Sequence, residues 1–509
     1  MRSSLSAGPR LVRATRPGWG IRQGWRATRV DYAVTLVAAS LLLVDLLVVQ
    51  ASIGSEAVFA LPLAMLAVAL LVVNPRVELS LALLLVYLGG IDGFLKLKTG
   101  SSTITLARDA VLWSIAVGML ARALVTGQHL RLPRYGALVC LFVAIVLAQG
   151  LNPSSASPRA DLGGFRQHLE FVPLFFIAAV TLRDAGRLRA FFGLLLLVAL
   201  LNGIVGLIQF NLSPSGLAAW GPGYSNLING TGAFANEGRT FLVAGVGHPR
   251  PPALGSDEGF GGALGDLAIP GGLLLLGQAR RWRTRIAVIV GLVGAAAGVI
   301  TSQSRLALAV AIGAALFYAL LTAATPGRRR QLAAVAFAII AMYLFVDVFL
   351  QSNNSPGEVR YNDISLSGLA ANRGSSLALI PQYLGDYPFG NGIGRSGPAA
   401  FSGGASSGLN AENEFNLLTT EVGIPGLLVM LALWLRVLWD GTAVALSRRD
   451  GYGDCVAAMI AALMSAAFIW LVATTSVSSP DSPFFWLCLG VVAGAVGATR
   501  PTLSRRHTP

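Results

Sequence analysis

The sequence predicts an all-α integral membrane protein with about fourteen transmembrane helices. Three observations predict it. Hydrophobic residues make up 54% and charged residues only 12% of the 509 positions, against about 25% charged in an average soluble domain. Apolar runs of the ~20 residues needed to cross a bilayer recur from one end to the other. Basic residues concentrate in every second connection between those runs, the pattern of the positive-inside rule. Helices follow because lipid offers the backbone no partners, so each segment must satisfy its own N–H and C=O groups.

Taken in order, residues 1–31 are polar and arginine-rich, too basic for a cleaved signal peptide and expected as a cytoplasmic tail. An N-terminal transmembrane bundle, 32–212, has spans near 32–50, 57–73, 79–95, 107–125, 136–151, 169–182 and 191–212. A first long extracytoplasmic loop covers 213–259. The segment 260–350 holds spans near 260–278, 286–302, 306–324 and 331–350. A second long extracytoplasmic loop, 351–414, precedes C-terminal spans near 415–439, 455–474 and 484–499, within 415–499. Residues 500–509 form a second cytoplasmic tail. Both long loops are rich in Gly, Ser, Pro and Asn with no strand pattern, and connections of that length tend to be functional.

With the N-terminus inside, the alternate connections hold 27 of the 38 Lys and Arg residues. The net charge of +14 is then mostly topological, with some affinity for anionic membrane lipids, and no nucleic acid is needed to explain it. Cys140, Cys455 and Cys488 fall in apolar runs without metal-ligand spacing, and the four histidines are scattered. Neither a metal nor any other cofactor is expected. "GIGRSG", 392–397, spells a dinucleotide-binding fingerprint but follows no predicted strand and opens no crossover helix; turn glycines explain it. "GAAAG", 294–298, reads as a small-residue step for close helix packing. Asp45, Asp92 and Asp266 form no sequence cluster and read as interior polar residues.

Nine arginines lie outside the cytoplasmic set: Arg108, Arg159, Arg166, Arg239, Arg250, Arg305, Arg360, Arg373 and Arg395. Arg305 sits in a short turn between two very apolar spans. Its planar fork suits phosphate oxygens, and an arginine snorkelling to lipid headgroups is the alternative reading. Glu412, Glu414 and Glu421 crowd the start of the span near 415–439, where a carboxylate beside hydrocarbon costs at least about 2.5 kcal/mol. A carboxylate against apolar surface can act as a general base. Glu421 is expected to face the bundle interior, and Glu414 to face solvent.

Three stretches in this order resemble the O-antigen ligase and polymerase superfamily, multispanning proteins acting on lipid-linked bacterial glycans. "SQSRLALAV" is similar to its Ser-Arg step, with Arg305 in the arginine position. "NRGSSLALIPQYLGDYPFGNGIG" looks like its arginine, amphipathic helix and "P-x-x-G-x-G-x-G" sequence, with Arg373, Pro388, Gly390, Gly392 and Gly394 in register. "ENEFNLLTTEVGIPGLL" resembles its "HN-x-(Y/F)-L … E-x-G-x-x-G" signature, with Asn413, Phe415, Glu421, Gly423 and Gly426 in place. The matching core covers roughly 230–440, a little under half of the chain. Glu412 stands where ligase members carry a histidine, and Asn416 stands in place of leucine.

The resemblance implies a GT-C-like helical bundle in a bacterial cytoplasmic membrane, with both termini cytoplasmic and the active site extracytoplasmic. It implies a polyprenyl-pyrophosphate-linked glycan as donor and a cell-envelope glycan or glycolipid as acceptor, joined by a metal-independent inverting displacement. Arg305 and Arg373 would clamp the pyrophosphate, and Glu412, or alternatively His248, would take the proton of the acceptor hydroxyl. Arg239, His248, Arg166, Asn413, Glu421 and Arg395 would complete the substrate site. Ligase and polymerase differ only in acceptor. A lipid-linked glycan transporter is the reading from another class, expected to carry charges deep in several spans; a non-enzymatic assembly partner is a third. The sequence carries no signature of oligomeric state.

Overall fold

The computed structural model describes residues 37–38, 69–74, 76–100, 104–126, 132–154, 157–229, 240–243, 246–257, 259–323, 377–397, 400, 409, 413–448, 450–472 and 481–499. Helix α1, Val77–Thr99, runs through a π turn at Tyr87–Ile91 and is followed by α2, Ile104–Val125, and α3, Gly136–Ala148. Then come α4, Pro158–Leu169, α5, Val172–Thr181, and α6, Ala185–Phe210. Two short helices, α7, Pro214–Ala218, and α8, Pro222–Asn229, lead to an antiparallel hairpin of β1, Thr240–Val243, and β2, Val246–Pro249. The chain continues as α9, Phe260–Gln278, α10, Trp282–Thr301, and α11, Arg305–Ala323. Last come α12, Ile380–Asp386, α13, Glu414–Glu421, α14, Gly423–Ser447, α15, Gly451–Val472, and α16, Asp481–Thr499.

Among the described residues, seven helices are long and apolar enough to cross a bilayer: α1, α6, α9, α10, α11, α14 and α15. This is the pattern of a polytopic helical membrane protein, and it differs in count from the fourteen spans read from sequence. Three of those spans, near 32–50, 57–73 and 331–350, lie wholly or largely outside the described residues. Helices α3 and α16 are shorter apolar helices. The span near 169–182 is not one helix. It breaks at Glu170 and Phe171, and α5 has only ten residues, about 15 Å of rise where a bilayer core needs about 30 Å. The span near 415–439 breaks likewise: Val422 closes α13, and Gly423 at φ 69° opens α14. The hairpin is a further departure; its strands of four residues are too short to show a period in sequence.

The core is built on α9 and α15, the most enclosed spans. Helix α9 packs against α6, α10, α11 and α15, and α10 also packs along α6. Glycines make this possible. A methyl at Gly203 of α6 would overlap the Gly294 carbonyl of α10, and one at Gly298 would press on the Gly261 carbonyl of α9. The "GAAAG" step is thus a helix-packing face, as its spacing predicts. Helix α9 runs on through Pro270 with Asp266 fully buried.

Connections that the sequence assigns to one side meet in the structure. Arg187 pairs with Glu78 at 2.7 Å, Arg122 bonds the Asn74 carbonyl, and Arg134 pairs with Asp440. The opposite end gathers the polar residues described next.

Candidate functional site

Helix α13 starts because Asn413 caps it, its Oδ1 accepting the Asn416 N–H at 2.8 Å. It is buried on all sides, from Glu414 at 4% exposure to Glu421 at 0%. Glu414 therefore does not face solvent as the sequence reading expected. A helix enclosed all round leaves it no outer face.

The glycine-rich loop after α12 lies across this helix. The Asn391 N–H donates to the Thr420 carbonyl at 2.7 Å, and the Ile424 N–H donates to the Pro388 carbonyl at 2.9 Å. From the end of α3, Gln149 donates to the Phe389 carbonyl at 2.6 Å and Asn152 to the Gly390 carbonyl at 3.2 Å. Gly390 has φ 86°, and a Cβ there would overlap the Glu421 carbonyl. Gly394, at φ 70°, lies as tightly on the Ala160 carbonyl of α4. Only glycine suits both the left-handed backbone and the close approach.

Glu421 is the hub. Its Oε1 accepts the Ser396 N–H at 2.9 Å and the Ser396 hydroxyl at 3.3 Å, while its Oε2 lies 2.9 Å from His168 Nε2. The Ser396 and Thr420 hydroxyls are 2.8 Å apart. Burial alone would lower the His168 pKa, but the hydrogen bond and charge of Glu421, with the charge of Glu414, raise it above the ordinary imidazole value. The reading that Glu421 faces the interior and pairs there holds; its partners are a histidine and a loop amide.

Helix α4 joins this hub to a second cluster. Positions 166 and 170 share one face, and 168 lies about 200° away from 166 on the helical wheel. Arg166 therefore reaches Glu170 at 2.8 Å and Asp109 at 2.5 Å, while His168 reaches Glu421. Arg108, 1% exposed, pairs with Asp92 at 3.3 Å, Asp109 at 3.2 Å and Glu170, and lies 5.1 Å from the Phe171 ring centroid. Asp92, isolated in sequence, is thus one member of a buried ionic cluster.

Of the residues expected at the site, Glu421, Asn413 and Arg395 converge here, Arg395 through its neighbour Ser396. Arg166 stands one helix turn away, held by carboxylates. Glu412, Arg373 and Arg239 lie outside the described residues. The backbone of Arg305 opens α11, and that of His248 pairs with Phe241 in the hairpin. His168, Ser396, Gln149 and Glu170 were not anticipated. The signal available was "FRQHLE", 165–170, with Arg, Gln, His and Glu crowded at the mouth of an apolar run. No protein-family model matches this chain, and no curated protein matches it.

Proposed function

We propose that this protein is an O-antigen ligase-like membrane glycosyltransferase. It moves a glycan from a polyprenyl-pyrophosphate donor to a cell-envelope glycan or glycolipid acceptor at the outer face of a bacterial cytoplasmic membrane. The observation that carries the reading is that two stretches of the resemblance pack on one another. The "PFGNGIG" loop lies on the "ENEFNLLTTEVGIPG" segment, and Glu421 pins the amide that follows Arg395. Arg395 is partly buried, and its Nε is shielded from solvent with no hydrogen-bond partner among the described residues. Its charged, planar fork suits phosphate oxygens.

In this reading the acceptor hydroxyl attacks the anomeric carbon as its proton passes to Glu412. The anomeric C–O bond breaks, its electron pair leaves with the pyrophosphate, and the configuration inverts. Arg305, Arg373 and Arg395, with Arg239, stabilise the charge that develops on the leaving group. Asn413 and Glu421 hold the backbone of the motif, while His248 is the alternative base. The same chemistry serves a polymerase of lipid-linked repeat units, with another growing chain as acceptor.

One observation favours a second reading, a lipid-linked glycan transporter. Asp92, Arg108 and Glu170 are buried within α1, α2 and the turn after α4, with half-buried Asp109 beside them, and charge inside a helical bundle is typical of coupled transport. The test is a transfer assay with purified protein, a polyprenyl-pyrophosphate glycan and a panel of envelope acceptors. Wild type is expected to release polyprenyl pyrophosphate and form a glycosylated acceptor. Activity is expected to collapse in Arg305→Ala, Arg373→Ala, Arg395→Ala and Glu412→Gln. Absence of transfer, with intact donor crossing proteoliposome membranes, would favour the transporter.

A further inference from the structure

We propose that His168 is a positioning residue of this site: through Glu421 it fixes the Arg395–Ser396 peptide, and so sets the Arg395 guanidinium for an anionic ligand of the pyrophosphate class. The proposal rests on the reading of Arg395 as a phosphate-binding residue.

Four groups form a chain from His168 through Glu421 and the Ser396 amide to Arg395. The Ser396 N–H belongs to the peptide bond that Arg395 itself begins, and it donates to Glu421 Oε1 at 2.9 Å. A glycine-rich stretch with four left-handed glycines, Gly390, Gly392, Gly394 and Gly397, has little stiffness of its own. Next to Gly397, Ser396 is held by this amide and by its hydroxyl, which meets Glu421 Oε1 at 3.3 Å and the Thr420 hydroxyl at 2.8 Å. The carboxylate that holds it is 0% exposed and keeps its charge in a buried place only if that charge is compensated. His168 compensates it at Oε2, 2.9 Å away, from a side chain 1% exposed. Without that donor, Glu421 must rotate or admit water, and either change loosens the Ser396 amide.

The charged groups around His168 agree with this role. From α13 it faces Glu421 and Glu414, both carboxylates that favour the imidazolium. On its own segment, Arg166 and Glu170 are engaged with one another, and with Asp109 and Arg108. Loss of the His168 proton leaves Glu421 with a neutral donor and a weaker hold.

The experiment uses the full-length protein in lipid nanodiscs and farnesyl pyrophosphate as probe. Affinity is measured as pH rises from about 7, above the second phosphate ionisation near 6. Wild-type affinity is expected to fall across this range. His168→Gln is expected to bind about tenfold more weakly at the lower end, with a flat profile. His168→Lys, which keeps a cation beside Glu421, is expected to restore affinity and move the decline to higher pH. Arg395→Ala is expected to bind at least about tenfold more weakly at every pH. If Arg395→Ala binds like wild type, the phosphate-binding reading fails and takes this proposal with it. If Arg395→Ala is weakened while His168→Gln keeps wild-type affinity and profile, the positioning role alone is overturned. A wild-type affinity that rises with pH overturns it without any substitution, so the test does not depend on the variants folding.

Discussion

His168 and Glu421 are 253 positions apart in the chain and 2.9 Å apart in the fold, each side chain 1% exposed. Removing one member of such a pair strands a buried charge, at about 3–5 kcal/mol. Removing both leaves only a hole and lost hydrogen bonds. His168→Ala and Glu421→Ala are each expected to destabilise strongly, with the double variant milder than the sum by about 0.5–3 kcal/mol. Unfolding in mixed SDS micelles measures this cycle, and strict additivity would contradict the pairing.

The same pair sets a pH dependence. The folded His168 pKa is raised above an unfolded value near 6.5. Its contribution is therefore fully present below about pH 6.5 and is lost as pH rises through the folded value. Between the two, the stability of wild type should fall by up to about 1.4 kcal/mol per pH unit relative to His168→Gln. A wild type that gains on the variant as pH rises would reverse the sign and refute the assignment.

Arg108 is the second sensitive point. One guanidinium serves Asp92, Asp109 and Glu170 and stacks on Phe171. Arg108→Ala is expected to lose about 3–5 kcal/mol. Arg108→Lys should recover little, because a single ammonium cannot fork toward three carboxylates. Melting temperature and monodispersity in detergent report both, and a lysine variant as stable as wild type would show that charge alone suffices.

The sequence was legible where one physical rule dominates. Apolar run length located α6, α9, α10, α11 and α15 within a few residues, because lipid admits little else than helix. Connections that the arginine bias assigns to one side lie together, as Arg187 with Glu78 and Arg134 with Asp440 show. Hydropathy could not separate α13 from α14, since the break at Gly423 is set by φ and by its contact with Gly390, which no window average carries. The site was half legible. Glu421 stood out as a carboxylate in an apolar setting. His168 did not, because its meaning comes from a partner far along the chain. Arg166 looked available from sequence, and only packing revealed that Asp109 and Glu170 occupy it.

Gly390 offers the cleanest separation of loop geometry from bundle stability. At φ 86° an added methyl is strained by about 1–2 kcal/mol, and it would also collide with the Glu421 carbonyl and the Val422 backbone. That backbone belongs to the break between α13 and α14 and cannot yield without moving Glu421. The loop must yield instead, giving up the Asn391–Thr420 and Asn152–Gly390 hydrogen bonds. Gly390→Ala should therefore cut glycan transfer by more than about tenfold and expose the loop to protease, while shifting the melting temperature less than Arg108→Ala does. Gly385 is the matched control. It lies in α12 with nothing within 4 Å of an added Cβ, so Gly385→Ala should leave transfer unchanged and stabilise that helix by up to about 1 kcal/mol. Equal transfer by both variants would mean that the packing of the glycine loop on α13 does not shape the site.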